Sequence, residues 1–241
     1  MRILNLGCGT KTSSSPDVAN IDWSVYLRFR KNPLLRAVTP LLISGERLER
    51  FRALADNIMV HDLARGIPFE SGSVDVVYHS HLLEHLDRDV ARQFLLEVKR
   101  VLAPGGIHRV VVPDLEKACR DYVAHLDRCE RDPAEAASHE SYIAPIIEQS
   151  VRREAFGTSQ RRPLRRWLEN AIFGDARRRG ETHQWMYDRV SLSALLSGLG
   201  YRNPQRQAHD TSQIPNWSQY GLDMAGGREY KPGSLYLEAQ K

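Results

Sequence analysis

Two short apolar segments flank an amphipathic helix in the middle of the chain, and this pattern constrains the fold more than any other feature of the sequence. The segment 74–78 (VDVVY) follows a turn at 70–73, and the segment 107–112 (IHRVVV) follows a turn at 104–106. Residues 89–102 place apolar side chains at helical spacing on one face. Because a strand, a helix and a strand in succession need a crossover connection, the two strands are expected to pair in parallel. The chain is therefore predicted to be of the α/β class.

Other apolar segments extend this prediction to a sheet of several strands. Further candidate strands lie at 3–6, 18–21, 58–60 and 234–239, and a further helix is predicted at 191–199. A length of 241 residues suits a single domain. Two segments, 25–53 and 114–180, do not fit a minimal sheet and are interpreted as insertions. In open α/β sheets such insertions commonly form lids and substrate pockets.

Composition excludes several classes of protein. Apolar residues make up 41% of the chain and charged residues 27%, which suits a folded core and argues against a disordered chain. No apolar run approaches the roughly 20 residues that a membrane-spanning helix needs, and the first residues lack the zones of a secretory signal. The three cysteines never occur at CxxC spacing, so neither a disulfide framework nor a cysteine-ligated zinc site is expected. These features predict a cytoplasmic protein.

A glycine turn and two acidic residues follow the first three candidate strands. The turn Gly7-Cys8-Gly9 comes directly after the first strand, where the missing side chains let the backbone bend and approach a ligand closely. Asp22 ends the second strand, where a carboxylate can accept hydrogen bonds from ribose hydroxyls, and Asp62 follows the third. Each alone could be a turn or cap residue. Their place at successive strand ends favours one shared nucleoside site.

These residues resemble the class I S-adenosylmethionine-dependent methyltransferases, and specifically those with a methyltransferase type 11-like core. The resemblance is carried by ILNLGCGT (3–10), NIDWS (20–24), residues 60–86 and residues 97–115, and it resumes at 183–201. It implies a Rossmann-like, mostly parallel sheet with helices on both faces. It also implies S-adenosyl-L-methionine as the cofactor.

The resemblance implies a contact for each part of that cofactor. The glycine turn would lie against the methionine part, and the acid that ends the second strand would hold the ribose. Residues after the third strand would contact adenine, and residues after the fourth would face the reactive sulfonium. In chain order, the cofactor-binding residues implied are Gly7, Cys8, Gly9, Asp22, Asp62, Leu63, Ser80 and His81.

The sequence departs from the family pattern in ways that predict local differences. Lys11 stands where the family usually has a third glycine. Only a short stretch separates Gly9 from Ile21, so the first helix should be short or absent. The chain starts on its first strand, so the helices that cover the cofactor in many relatives are expected to be replaced by residues 25–53.

Methyl transfer to a hydroxyl oxygen would need a general base, and histidine titrates nearest neutral pH. His183 is the chosen catalytic residue because it opens the HQWMYD segment, where relatives bring substrate-side residues over the strand ends. It could equally be a partly buried histidine at a helix start. The other candidate bases are Tyr187, His81, His85 and Asp114.

Three other functions share some of these features. The run His81-Leu82-Leu83-Glu84-His85 matches the HxxEH motif of zinc metalloproteases, with His81, Glu84 and His85 as the functional residues, but it follows a strand directly instead of lying within a helix. A nicotinamide-dependent oxidoreductase is weakened by Thr12, which stands at the third position of GxGxxG. A nucleic-acid-binding protein would use the arginines of 151–179, yet no DNA or RNA module is recognisable there.

The predicted acceptor is a small molecule or a sugar-linked, glycan-type compound, methylated at oxygen. The segment 151–179 holds nine arginines and three acidic residues, so it suits an acidic acceptor, although it could also be a solvated helical face. Relatives with an HQWMYD-like segment look like tailoring enzymes of polysaccharide biosynthesis. The apolar and basic stretch 25–53 also allows a lipid-linked acceptor at a membrane surface. The sequence does not predict an oligomeric state.

Overall fold

The computed structural model describes residues 1–43, 45–149 and 182–241. The predicted insertion 114–180 is therefore described only to residue 149, and the arginine-rich segment 151–179 lies outside the described residues. Within the described part of the chain, no helix is both long enough and apolar enough to cross a bilayer.

In the described residues, nine strands make up two sheets. They are β1 (Ile3–Leu6), β2 (Val18–Asp22), β3 (Ile58–Val60), β4 (Val74–Ser80), β5 (Leu102–Pro113), β6 (Arg202–Gln207), β7 (Met224–Ala225), β8 (Arg228–Glu229) and β9 (Ser234–Gln240). Seven of them form one sheet in the order β3-β2-β1-β4-β5-β9-β6, and β7 and β8 form a separate two-stranded hairpin.

The large sheet is mostly parallel, as predicted. Strands β1 to β5 pair in parallel, whereas β9 runs antiparallel to both β5 and β6. The chain leaves β1 towards β2 and β3 on one side and returns with β4 on the other side. Ligands of open α/β sheets bind at such a reversal, outside the carboxyl ends of the strands. The fold thus places a crevice between the ends of β1 and β4.

Seven α-helices connect these strands in the described residues. They are α1 (Val25–Lys31), α2 (Pro33–Leu42), α3 (Glu46–Ala53), α4 (Arg88–Val101), α5 (Leu115–Arg131), α6 (Glu140–Gln149) and α7 (Arg189–Gly198). Side chains cap the starts of α1, α2, α5 and α7, whereas α3 and α4 start without a side-chain cap. The Asp188 carboxylate accepts the backbone N–H groups of Val190 and Ser191 at 2.8 Å each, which closes a capping box at the start of α7.

The two faces of the sheet are covered differently. On one face, α4 and α7 pack on alternate strand residues such as Leu4, Val77 and Val110. On the opposite face, the intervening residues, such as Val76, pack against an irregular segment at 214–222 that contains only a short 3₁₀ helix. The sheet is therefore helix-covered on one side and loop-covered on much of the other.

The segment 25–53 forms a helical group beside the first strands. Leu27 and Phe51 are buried together with Cys8 and Ile58, so α1 and α3 pack against the glycine turn and the start of β3. The described residues of this segment, which the sequence indicated as an insertion, are mostly helical.

Most strand positions agree with the sequence predictions, and the differences have physical causes. Strands β1 and β3 occupy the predicted residues, and residues 7–17 contain no helix, as expected from the short connection. Strand β6 was not predicted because its sequence RNPQRQ is polar and mostly exposed. Val90 was expected on the buried face of α4, but 45% of it is exposed because it lies in the first turn.

A fully buried arginine joins β5 to the loops on the irregular face. The guanidinium of Arg109 donates to Asp223 at 2.8 Å and to Glu238 at 2.6 Å, and all three side chains are almost completely buried. The same guanidinium donates to the carbonyl oxygens of Ala208 and Thr211. Charges removed from water in this way are tolerated only when they are paired and hydrogen-bonded.

Replacing Arg109 should therefore destabilise the protein strongly. In Arg109→Met the apolar part of the side chain is kept, but two buried carboxylates lose their cation, so the free energy of unfolding should fall by about 3–5 kcal/mol. Urea denaturation followed by circular dichroism measures this change. The matched control is Arg120→Met, since Arg120 forms an exposed ion pair with Glu116 and solvent screens that pair. Equal losses in the two variants would contradict the assignment.

Candidate functional site

A cavity of about 340 Å³ opens at the reversal between β1 and β4. Its walls come from the end of β1, the turn after it, the end of β4 and the segment before β9. The lining residues are Asn5, Gly7, Cys8, Gly9, Thr10, Lys11, Tyr78, Ser80, His81, Tyr230 and Lys231. Five of the eight predicted cofactor-binding residues therefore line one cavity.

The glycine turn has a backbone that only glycine adopts easily. Gly7 and Gly9 have φ angles of 63° and 54°, in the left-handed region. A Cβ atom on Gly7 would lie 3.0 Å from Leu82 Cδ1, whereas a Cβ atom on Gly9 would meet no atom within 4 Å. Gly7 is thus required by packing, and Gly9 leaves open space beside the backbone of the cavity wall.

Two buried asparagines hold the loop that follows the turn. Asn5 donates through Nδ2 to the Lys11 carbonyl and to Asn20 Oδ1, both at 2.9 Å. Asn20 in turn binds the backbone of Ser13 in both directions. These side-chain bonds satisfy the backbone of residues 11–13 in place of a helix. The loop is therefore ordered although the usual first helix is missing.

Asp22 lies at the end of β2 and closes the turn from the other side. Its Oδ2 accepts the Gly9 N–H at 2.9 Å, and its Oδ1 accepts the Trp23 N–H at 2.6 Å. Burial raises the pKa of Asp22 above its ordinary value, and the two backbone hydrogen bonds oppose this shift. The carboxylate is fixed in place while each oxygen keeps a lone pair for another donor.

Asp62 and Leu63 lie outside the lining of the cavity, on the neighbouring strand. Val60 of β3 is paired with Asp22, so Asp62 follows two residues beyond it at the same edge of the sheet. The Asp62 carboxylate caps a short 3₁₀ helix by accepting the Ala64 N–H at 3.1 Å. The structure thus brings the two acids to adjacent strand ends, and it also gives Asp62 a capping role.

The far wall of the cavity comes from residues that the sequence did not indicate. Lys11 donates to the Met224 carbonyl at 2.6 Å, and its ammonium lies 4.3 Å from the centre of the Tyr230 ring. Tyr230 and Lys231 reach the cavity from the segment between β8 and β9. None of the described residues of 25–53 lines this cavity, and the expected cover of the cofactor by that segment stays a prediction. Of these far-wall residues, only Lys11 could be related to the site from the sequence, because it lies in the glycine loop.

His81 stands at the cavity mouth in an uncommon backbone conformation. Its φ angle is 52°, and its Nε2 lies 2.8 Å from Ser234 Oγ. Its Nδ1 lies 3.3 Å from a carboxylate oxygen of Glu84. Burial, with help from the positive charge of Lys231, lowers the pKa of His81 to about 3. His81 is therefore a neutral imidazole at physiological pH.

Glu84 is the buried centre of a group of imidazoles. It is 1% exposed, and neither of its carboxylate oxygens has a hydrogen-bond partner among the described residues. Burial raises the pKa of Glu84 to about 8, so the side chain stays protonated near neutral pH. His85 Nε2 lies 4.0 Å from Glu84, and the His85 ring lies 4.8 Å from that of His183.

The predicted catalytic residue His183 belongs to this group because of two backbone bonds. The Glu84 carbonyl accepts the N–H groups of Gln184 and Trp185 at 2.7 and 3.2 Å, which holds the segment beside the 3₁₀ helix at 83–85. His85 Nδ1 lies 3.1 Å from the Thr182 carbonyl, so Nδ1 carries the hydrogen and Nε2 is free to accept. Burial, followed by the neighbouring His183, lowers the pKa of His85 to about 4.

Two of the other candidate bases are engaged elsewhere. Tyr187 is buried, and burial raises its pKa to about 12. Asp114 caps α5 by accepting the Lys117 N–H, and it lies 3.3 Å from the guanidinium of Arg206. The structure therefore favours the imidazole group as the source of a base.

The HxxEH arrangement does not have the geometry of a zinc metalloprotease. Its glutamate lies between the two histidines at the centre of the cluster, and residues 83–85 form a 3₁₀ helix instead of the α-helix that would place both histidines on one face. His81 is also turned towards Ser234. The metallohydrolase alternative is not supported.

A second cavity, of about 390 Å³, lies where α4 meets the segment before α7. The Arg88 guanidinium lies 4.5 Å above the ring of Trp185, which is 38% exposed. Arg92 and Tyr187 also line it. Asp89 lines it as well, so the cavity combines an aromatic surface with two cations and one carboxylate, a few residues from His183.

Comparisons with known proteins identify part of the chain. Residues 4–110 match the family model of a methyltransferase domain. That range contains the glycine turn, Asp22, Asp62 and the end of β4 with His81. No curated protein is similar enough in sequence to count as a match.

Solved structures with a similar arrangement share little sequence with this chain. A complex of DhpI with SAH has 15% identity and a TM-score of 0.47, and the match covers 99% of this chain and 75% of that one. A SAM-dependent methyltransferase from Archaeoglobus fulgidus has 13% identity and a TM-score of 0.42 over 100% of this chain and 86% of that one. The CurJ carbon methyltransferase has 16% identity and a TM-score of 0.42; this chain is covered fully but spans only 48% of that one.

The protonated carboxyl of Glu84 should make the stability of the fold depend on pH. The folded pKa, about 8, lies above the ordinary value of 4.5, so the contribution is fully present below pH 4.5 and is lost as the pH rises through 8. Glu84→Gln keeps a neutral group of similar size. The stability of the wild type relative to this variant should therefore fall between pH 5 and 8, by at most about 1.4 kcal/mol per pH unit. Thermal unfolding across this range measures the difference, and parallel pH curves would contradict it.

Proposed function

We propose that this chain, which is a class I S-adenosylmethionine-dependent methyltransferase, transfers a methyl group to an oxygen of a small-molecule or sugar-linked acceptor. The observation that carries the choice of oxygen is the group of neutral imidazoles around buried Glu84, next to the cavity. A hydroxyl must lose a proton as it is methylated, and an uncharged imidazole can accept that proton.

The residues that line the cavity between the ends of β1 and β4 fit the cofactor. When bound, S-adenosylmethionine supplies an electrophilic methyl group on a positively charged sulfur. We assign its methionine part to the backbone of Gly7, Cys8 and Gly9, where open space adjoins Gly9. Ser80 and His81, at the end of β4, would flank the reacting end.

The nucleoside would extend along the carboxyl edge of the sheet. Neighbouring strands lie about 4.8 Å apart, so the ends of β1, β2 and β3 span roughly 10 Å, about the length of a nucleoside. Asp22 would accept the ribose hydroxyls with its remaining lone pairs. Asp62 and Leu63 would then lie beside the adenine, outside the enclosed part of the cavity.

A side chain at Gly9 should interfere with cofactor binding. Gly9→Ala adds a methyl group in the open space of the cavity wall, so affinity for S-adenosylhomocysteine in isothermal titration calorimetry should fall by tenfold or more. The matched control is Gly72→Ala, because Gly72 also has a positive φ and open space around it but lies in the turn before β4. Both variants carry a similar backbone strain of about 1–2 kcal/mol. Equal affinities in the two variants would contradict the placement of the cofactor.

His183 is the proposed general base. The protonated form of Glu84 leaves no negative charge on this carboxyl. The acceptor hydroxyl would release its proton to a ring nitrogen of His183, whose ring contacts that of His85. The rest of the work is alignment and exclusion of water, because charge disperses in this transition state. His85 would orient the His183 ring through their edge-to-face contact.

The second cavity supports an acceptor that has a ring and an acidic group. Trp185 offers a flat apolar surface of the kind that contacts sugar rings, and Arg88 and Arg92 supply positive charge beside it. Such an acceptor would suit a role in polysaccharide biosynthesis, including one with a lipid-linked glycan. The three free cysteines suit the reducing conditions of the cytoplasm.

Loss of the base should slow the reaction without loosening the cofactor. In His183→Gln the rate of radiolabelled methyl transfer into sugar-linked compounds of a cell extract should fall by about 10²–10⁴-fold. The dissociation constant of S-adenosylhomocysteine should not change. His209→Gln, beyond β6 at the sheet edge, is the control and should keep the wild-type rate. An unchanged rate in His183→Gln, or a product methylated at carbon or nitrogen, would contradict the proposal.

A further inference from the structure

Three side chains of types that commonly bind transition metals lie together in the described part of the helical insertion, away from the cavity between β1 and β4. The Nδ1 atoms of His125 and His139 lie 2.9 Å apart, and Cys129 Sγ lies 3.4 Å from His125 Nδ1. His125 and Cys129 are one turn apart on α5, and His139 directly precedes α6. No step of methyl transfer described above uses these residues.

We propose that His125, Cys129 and His139 bind a zinc ion that ties α5 to the start of α6. Zinc favours thiolate and imidazole ligands in a tetrahedral arrangement, with Zn–N near 2.0–2.1 Å and Zn–S near 2.3 Å. Those lengths place two nitrogen ligands about 3.3 Å apart and a nitrogen and a sulfur ligand about 3.6 Å apart. The observed separations of 2.9 and 3.4 Å are slightly shorter than these, and one ligand atom from each of the three residues lies within 4.8 Å of the others.

The surroundings of His125 fix its ring in the form that a metal ligand needs. Its Nε2 lies 3.1 Å from Ser138 Oγ and 3.4 Å from a carboxylate oxygen of Glu135. A hydrogen on Nε2 is held by these oxygens, which leaves the Nδ1 lone pair directed at Cys129 and His139. A carboxylate behind a ligating histidine is a usual feature of zinc sites and raises the basicity of the imidazole.

One of the three ligands is sheltered from water, whereas Cys129 and His139 are partly exposed. His125 is completely buried, and the ring of Tyr142 stacks on it at 3.9 Å with an angle of 19°. Three protein ligands leave one position of the tetrahedron for a water molecule. Because two ligands lie on α5 and the third directly precedes α6, metal binding would stabilise this hairpin directly.

The proposed site differs from the sequence prediction, because the cysteine spacing predicts no cysteine-ligated zinc site. Cysteine-ligated zinc sites usually contain CxxC pairs, which this sequence lacks. Here a single cysteine and two histidines at H-x₃-C-x₉-H spacing lie close together because the helical hairpin folds back on itself. The group Glu84, His85 and His183 is the other set of metal-type ligands in the described residues, and it lies beside the cavity. The experiment must therefore tell the two groups apart.

Metal content of the full chain tests the proposal. The protein is purified without a histidine tag from zinc-supplemented cells and measured by inductively coupled plasma mass spectrometry. We expect about one zinc per chain in the wild type and at least a tenfold loss in Cys129→Ser and in His139→Gln. Glu135→Gln, which keeps all three ligands, should weaken zinc affinity by about 10–100-fold.

The controls use the second cysteine of the same helix and the other ligand group. Cys119→Ser removes an exposed thiol of α5 and should keep the full zinc content, as should His183→Gln. Cobalt added to the metal-free wild type should give a thiolate-to-cobalt absorption band, and this readout does not depend on how well the variants fold. Absence of both zinc and the cobalt band in the wild type, retention of zinc in Cys129→Ser and His139→Gln, or loss of zinc only in His183→Gln would each overturn the proposal.

Discussion

The cavity exists because Arg109 and Asp223 form an ion pair within the core. Asp223 also accepts the Tyr78 hydroxyl at 2.7 Å and the Trp217 indole N–H at 2.6 Å, and its backbone carbonyl accepts the Tyr230 N–H at 2.8 Å. One residue therefore links the centre of the sheet to the segment that forms the far wall. Tyr78 itself lines the cavity, so the floor and the far wall share a single anchor.

The charges in this anchor are unequal, and hydrogen bonds make up the difference. One guanidinium faces two carboxylates, Asp223 and Glu238, which leaves an excess negative charge among buried side chains. Neutral donors surround the two carboxylates, and charge-assisted hydrogen bonds of this kind are stronger than ordinary ones. These donors are the side chains of Tyr78, Trp217 and Ser212 and the backbone N–H of Gln213. Such a network specifies one arrangement of the loops over the irregular face.

The parts of the fold that the sequence predicted are those governed by local patterns. Strands such as β1 and β3 are apolar runs next to turn residues, and the absence of the first helix followed from the length of the connection. The glycine turn was predicted because a parallel sheet brings strand ends to one edge, whereas Ser80 was implied by the family resemblance. In contrast, β6 carries polar side chains and a proline, and its position is set by pairing with β9. Tyr230 and Lys231 reach the site through long-range contacts that no local pattern encodes.

The same limit explains the two ligand clusters. The HxxEH run matches a metal-binding motif in sequence, yet residues 83–85 form a 3₁₀ helix and the two histidines flank the buried carboxyl of Glu84. His125, Cys129 and His139 carry no familiar motif, and they meet because a helical hairpin folds back on itself. The arrangement of side chains in three dimensions distinguishes a plausible metal site from a chance motif better than spacing along the chain does.

The clamp on Asp22 has a thermodynamic consequence. Because Gly9 and Trp23 already hold both carboxylate oxygens, a ligand hydroxyl in the proposed site would meet an acceptor whose rotamer is already fixed. Ordering a free side chain on binding costs about 0.5–1.5 kcal/mol. The Asp22 side chain is already ordered in the folded protein, so binding does not include this cost. Recognition at this strand end is therefore closer to lock-and-key than to induced fit, with displacement of water as the main remaining penalty.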